Sequence, residues 1–223
     1  MMSREPEILG PGAMKAEAAR GNPLVVVHRR WLGCDVDAGP IWPKTDQDLT
    51  YRPPTEADVG PLLAWRNRPE VSRWLLRTHA DEDAMRESLR GPADPDDHSF
   101  VALLGDAVVG AGYLHVRDGM GQDGETEHAR AEALLGWNVS PSHWGRGIGT
   151  RVARALLDVA FGELRLHRVT AGCFADNVAS WRVMEKAGMR REQHGVQDSW
   201  HAQLGWVDGY TYAMLRSEWR AAR

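Results

Sequence analysis

His143-Trp144-Gly145-Arg146-Gly147-Ile148-Gly149-Thr150 reads as a glycine-rich turn set between a strand and a helix. Ahead of it, Ala133-Leu134-Leu135-Gly136-Trp137-Asn138-Val139 is an apolar run of strand length. Ser140-Pro141-Ser142 ends that run, because proline cannot continue a ladder. Behind the turn, apolar residues fall at Val152, Leu156, Val159, Ala160 and Leu164, the spacing of one helix face.

Three glycines in five residues leave the backbone amides unshielded, and glycine permits the positive φ that turns successive amides toward one point. The helix that follows adds unpaired N–H groups and a partial positive charge. Such a turn suits a phosphate or pyrophosphate, with Arg146 and Arg151 placed to add full charges. It is not a nucleotide P-loop, since no Gly-Lys-Ser/Thr follows the glycines. Nor is it a dinucleotide fingerprint, because Gly145-x-Gly147-x-Gly149 lacks the second spacing of Gly-x-Gly-x-x-Gly.

Composition narrows the remaining classes. The chain has 223 residues, enough for one domain with an extension. A net charge of -4 and a pI near 6.1 give no basic footprint for nucleic acid. Two cysteines, Cys34 and Cys173, are too few for a disulfide scaffold or a zinc site. No apolar run reaches the length of a membrane span and the N-terminus lacks a signal-peptide core, so the expectation is a cytoplasmic protein without a membrane partner. Ten tryptophans point to core, interface or pocket positions.

Residues 1–48 read as an N-terminal extension, with helix-compatible Ala13 to Arg20 and a short edge strand or docking segment at Leu24-Val25-Val26-Val27-His28. Residues 49–223 read as the folded domain. Leu49 to Pro53 is a first strand. Thr55-Glu56-Ala57-Asp58 caps a helix whose stripe runs through Val59, Leu62, Leu63 and Trp65, with Pro61 expected in its first turn. Further helices are expected at Glu70 to Leu76 and Asp81 to Leu89. Ser99 to Leu104 and Ala107 to Val116 form a hairpin about Gly105-Asp106. The acid-rich connection Asp118 to Ala131, with Asp123, Glu125 and Glu127, is either solvated or an attractor of a cationic amine. A strand at His167 to Phe174, a helix over Ala175 to Gly188 that ends at glycine, a strand at Val207 to Leu215 and a polar tail over Arg216 to Arg223 complete the chain. The predicted class is α/β (α+β): a largely antiparallel sheet flanked by helices.

The glycine turn resembles the acetyl-CoA pyrophosphate loop of the GNAT superfamily of N-acetyltransferases, Gln/Arg-x-x-Gly-x-Gly/Ala, with Gly147 and Gly149 on the glycines and Trp144 in the Gln/Arg place. Asn177-x-x-Ser180 followed by Glu185-Lys186-x-Gly188-Met189 is similar to the second cofactor segment of the Rim branch, which includes enzymes acetylating ribosomal-protein N-termini. Gly205 to Trp219, Arg52-Pro53 and Ala64-Trp65-Arg66-Asn67 are similar to that branch's end and beginning.

The resemblance implies acetyl-CoA as cosubstrate and an amine-bearing acceptor: a peptide N-terminus or a small molecule such as a polyamine or aminoglycoside. It also implies roles. The backbone of Trp137, Asn138 and Val139 would pair with pantetheine, the Val139 N–H polarising the thioester carbonyl. Amides from Trp144, Gly145, Arg146, Gly147, Ile148, Gly149 and Thr150 would hold the pyrophosphate. Asn177 would bond the pantetheine arm, and Ser180 would stand near the sulfur and serve the departing thiolate. Transfer would be direct, since neither cysteine has a nucleophile's setting. For the base, Glu132 is the first expectation, with His115, His201 or a water chain as alternatives. Trp65 and Trp74 lie where relatives place the acceptor, or pack. Assembly as a homodimer stays open beside a monomer.

Overall fold

Gly105, at φ +59, turns the chain between two apolar runs, and the hairpin it makes is the middle of the sheet. The computed structural model describes residues 41–91, 94–122 and 127–223. The Ala13–Arg20 helix, the Leu24–His28 strand and the acids Asp123 and Glu125 lie outside the described residues.

The strands are β1 (Lys44–Asp46), β2 (Leu49–Arg52), β3 (Phe100–Leu104), β4 (Ala107–Arg117), β5 (Glu132–Val139), β6 (Arg168–Phe174), β7 (Arg190–His201) and β8 (Gly205–Leu215). They form one sheet in the order β1-β2-β3-β4-β5-β6-β8-β7. Every pair is antiparallel except β5 with β6. The helices are α1 (Glu56–Arg66), α2 (Pro69–Ser72), α3 (Glu82–Arg90), α4 (Ile148–Asp158), α5 (Val178–Lys186) and α6 (Arg216–Ala221).

Alternation along the strands gives each face of the sheet its own core. On one face Val59, Leu62 and Trp65 of α1 and Met85 and Leu89 of α3 pack on Val101, Leu103 and Ala111. On the other, Val152, Leu156 and Val159 pack on Leu114, Leu135 and Met214. Leu156, fully buried, contributes roughly 1.5–3 kcal/mol by leaving water. The last turn after α4, Val159–Glu163, widens to π geometry, with Leu164 N–H donating to Val159 C=O at 2.9 Å.

Five features differ from the sequence reading. β1 joins the sheet ahead of the Leu49 strand, clamped by Arg151, which binds Asp46 and Asp48 at 2.7 Å each. Pro61 sits in the second turn of α1, not the first, because the helix starts at Glu56. The Glu70–Leu76 helix stops at Ser72; from there the chain crosses the sheet end so that Trp74 packs on Phe174 and His201, with ring centroids 6.4 and 5.5 Å apart. β7 is a twelve-residue strand that no alternation announced, since nearly all of it is exposed. The polar tail is the helix α6, where Glu218 accepts the Leu215 N–H at 2.7 Å and Trp219 stacks on Phe161. Among the described residues no helix is long and apolar enough to cross a membrane.

Candidate active site

The parallel pair β5–β6 stays together only from Glu132–Arg168 to Leu135–Ala171. Beyond that, each strand follows a different neighbour. β5 continues on β4, with Trp137 opposite Gly112 and Val139 opposite Gly110. β6 continues on β8, with Gly172 opposite Thr211 and Phe174 opposite Gly209. The sheet therefore splits between Trp137–Val139 and Gly172–Phe174.

Hydrogen-bond direction alternates along an antiparallel strand. Ser140 N–H donates to Val109 C=O at 2.9 Å, so Ser140 and Asn138 turn their main-chain groups toward β4. Trp137 and Val139 turn theirs the other way, into the split. The Val139 C=O already accepts from Trp144 Nε1 at 2.8 Å across that edge. Its N–H faces the same side.

The glycine turn lies directly at the end of this edge. Pro141–His143 make one 3-10 turn, and Gly145 and Gly147 take φ +75 and +77, Gly147 as the N-cap of α4. Amides of Ile148, Gly149 and Thr150 have no partner within the helix. Gly149 serves packing instead: a Cβ there would stand 3.3 Å from Val183 Cγ2, so glycine lets α5 close on α4.

A cavity of about 700 Å³ joins the turn, the β5 edge and the start of α5. Its full charges are not the expected ones. Arg151 is turned away into its pair with Asp46 and Asp48, and Arg146 is exposed outside the lining. Arg182 and Lys186 of α5, with Arg73, take that place.

Residues 48–190 match the family described as an acetyltransferase (GNAT) domain. The chain belongs to the GNAT acetyltransferases. The uncharacterized N-acetyltransferase YnaD of Bacillus subtilis is 39% identical over 85 residues, a segment covering 38% of this chain and 49% of YnaD. The chain thus matches about half the length of that relative. The aminoglycoside N(6')-acetyltransferase type 1 of Klebsiella pneumoniae is 26% identical over 66% of this chain and 77% of its own. Spermidine N-acetyltransferase of Vibrio cholerae, solved with CoA and spermine, shares the fold at a TM-score of 0.67, with 18% identity over 78% of this chain and 99% of that one.

On the far wall of the GNAT split stand Asn177 and Ser180, which line both this cavity and a second one. Asn177 is the N-cap of α5, its Oδ1 accepting the Ser180 N–H at 3.3 Å. Ser180 stands beside the Cys173 thiol and favours its charged form. Burial pushes that thiol up to about 11, against the smaller opposing effect of Ser180, so Cys173 stays protonated at neutral pH.

The second cavity, about 400 Å³, adjoins the first at the split and is also lined by the loop after α2. Trp74, Tyr113, Asn138, Phe174 and Tyr210 line it, together with Arg66 and Asp198. Tyr113, Tyr210 and Asp198 were not singled out from the sequence, and Arg66 was quoted there only within Ala64-Trp65-Arg66-Asn67, with no site role. Asp198 is brought in by an irregularity of β7 between Gly195 and Ser199. Asp208 pins that bulge, accepting the Gln197 N–H at 2.9 Å and pairing with His194 Nε2 at 2.6 Å.

The candidate bases fall elsewhere. Glu132 starts β5, five residues and ~16 Å of strand before Trp137. There it binds Arg117 at 3.2 Å and Arg168 at 3.7 Å, and it lines neither cavity. The structure thus places Glu132 in an ion-pair cluster apart from both cavities, not beside Trp137 as a base at the reacting centre would need. His115 bridges to Asp97, also away from both cavities. His201 is buried, its Nε2 bonded to Arg73 C=O at 2.8 Å, and it ties the α2 loop to β7. Of the two tryptophans, Trp74 lines both cavities, whereas Trp65 is core, with Nε1 donating to Val108 C=O at 3.2 Å.

Proposed function

We propose that the chain transfers an acetyl group from acetyl-CoA directly to a primary amine at the β5–β6 split. The observation carrying this is the split itself, where main-chain groups of Trp137 and Val139 face a gap bounded by the glycine turn and by Ser180. The residues fit the cosubstrate. Bare amides at the N-terminus of α4, with Arg182 and Lys186, match a pyrophosphate. The open edge of Trp137 and Val139 matches the amides of a pantetheine arm, which would add to β5 as a strand does.

Acetyl-CoA, when bound, supplies an activated thioester. The Val139 N–H then donates to the oxygen that becomes negative as the amine attacks, where a fixed donor acts far more strongly than water. The Ser180 hydroxyl donates to the sulfur as the C–S bond breaks and the C–N bond forms; the acylated nitrogen then sheds its extra proton to water, and the departing CoA thiolate takes one up. Cys173, held protonated, does not intercept the acyl group. The amine must be neutral to attack; an α-amino group, at about 7.7–8.0, reaches that state near neutral pH more readily than a lysine-like amine at about 10.4.

Release of free thiol from acetyl-CoA tests the reading, against a panel of amino acids, peptides with different N-termini, spermidine and aminoglycosides. Thiol release with one acceptor class, with Ser180→Ala lowering kcat more than the KM for acetyl-CoA, supports it. Binding of acetyl-CoA with no turnover of any amine would replace it with a non-catalytic acyl-CoA-binding module.

A further inference from the structure

The charges of the 400 Å³ cavity do not suit a polycation. Among the described residues that line it, Asp198 is the one carboxylate, set against Arg66 and Arg77. Arg66, at the end of α1, is 2% exposed. It donates from NH1 to Asn67 Oδ1 at 2.9 Å and from NH2 to Arg77 C=O at 2.6 Å. Both acceptors are neutral. Among the described residues no carboxylate forms an ion pair with Arg66; its charged neighbour is Arg77. Burial pulls its pKa below the usual guanidinium value; Tyr113 opposes that, and Arg77, the smaller effect, adds to it. A guanidinium nonetheless keeps its proton, and burying such a charge without a counter-ion is strongly unfavourable.

The wall beside it is polar and incompletely paired. The Tyr113 hydroxyl accepts from Asn138 Nδ2 at 3.0 Å, while Asn138 Oδ1 is buried without a partner. A purely structural role for Arg66, tying α1 to Asn67 and to the Arg77 carbonyl, explains two hydrogen bonds that neutral donors would make equally well. It does not explain a full charge.

We propose that Arg66 is the counter-ion for a carboxylate on the acceptor, so that the acceptor is a small amino-acid-like molecule carrying a carboxylate beside its primary amine. The inference rests on the transferase reading above. A guanidinium meets a carboxylate with two parallel bonds, and Asp198, in the same cavity, offers the opposite charge to the ammonium. The volume lies within the range of small-ligand sites. A polyamine or aminoglycoside would bring several cations against two arginines with one carboxylate to receive them.

The test uses matched acceptors, amino acids and their carboxamides, assayed by thiol release with the wild-type chain, Arg66→Gln and Arg66→Lys. Wild type is expected to favour the carboxylate at least about tenfold in kcat/KM, the ratio for one charge-assisted hydrogen bond. Arg66→Gln should level that ratio, lowering kcat/KM for the carboxylate more than for the carboxamide, and Arg66→Lys should keep part of it. Equal use of both forms by wild type, a ratio retained in Arg66→Gln, or faster turnover of spermidine or an aminoglycoside would overturn the assignment. If Arg66→Gln loses CoA binding and its circular dichroism signal, Arg66→Lys and the wild-type ratio decide. Calorimetry of the CoA-loaded wild type with the same pairs separates the two readings. Tighter binding of the carboxylate without turnover of any amine would end the transferase reading and keep the Arg66 assignment; turnover with no carboxylate preference would do the reverse.

Discussion

Replacing Gly147 with alanine isolates the contribution of main-chain direction at the anion site. Gly147 holds φ 77 and ψ 0, and nothing lies within 4 Å of the place a Cβ would take. Alanine there meets no neighbour, so only the left-handed backbone opposes it, at roughly 1–2 kcal/mol. If the turn holds its shape, the melting temperature falls by about 2–8 °C. If it relaxes, the amides of α4's first turn swing out of line, and ligand binding must restore the strained form. CoA affinity then drops by the same free energy, about 5- to 30-fold. Calorimetric titration with CoA and with pantetheine, which lacks the pyrophosphate, separates the two halves of the site. The expected result is weaker CoA binding or a lower melting temperature by those amounts, with pantetheine affinity unchanged. Gly149→Ala is the control, since its cost is the 3.3 Å approach to Val183 Cγ2 and not backbone conformation. Equal weakening of pantetheine and CoA would refute the assignment of the turn to the pyrophosphate.

Two further outcomes follow from groups outside the cleft. Glu132→Gln should change kcat/KM by less than about threefold and stability by no more than about 1 kcal/mol, because Glu132 serves two ion pairs and no cavity; a steady-state comparison checks this, and a loss of activity of a hundredfold or so would restore Glu132 as the base. For Asp58, burial acts to raise the carboxyl pKa, but bonds from Arg52 at 2.7 and 2.9 Å and from Thr55 outweigh it and hold the pKa below its ordinary value. A depressed folded-state pKa stabilises the fold fully above the unfolded value of about 3.9, and that stability is lost as pH falls through the folded value. Melting curves of wild type and Asp58→Asn should therefore differ most above about pH 5 and converge in acid; a gap that widens in acid would contradict the sign.

The proposed cofactor side of the site was readable as a candidate because its chemistry is local and largely main-chain. Gly145, Gly147 and Gly149 stand within five residues, and Asn177 caps the helix that carries Ser180. Such arrangements need no knowledge of what lies across the fold. Arg151 shows where that reasoning stops. Next to the turn in sequence, it belongs in space to Asp46 and Asp48, more than a hundred residues earlier. Glu132 lies apart from the split for a related reason: position along β5 was readable, but the end at which β6 departs was not, because that depends on how β6 pairs with β8.

The proposed acceptor side draws on separate elements, Arg66 on α1, Tyr113 on β4 and Asp198 on β7, and no one-dimensional spacing joins them. β7 hid itself further by being exposed on both faces, so it had no period to detect. Yet it left a trace. Gly195 and Gly209 stand opposite one another on β7 and β8. A Cβ at Gly195 would lie 1.6 Å from Asp198 Oδ2, and one at Gly209 2.5 Å from Asp198 Oδ1. The facing glycines are thus the space in which the Asp198 carboxylate rests over the sheet. Strand glycines usually weaken a ladder, so a facing pair marks a close approach from above. That mark becomes readable only once the register is known, and so it belongs to the structure although both of its letters were in the sequence.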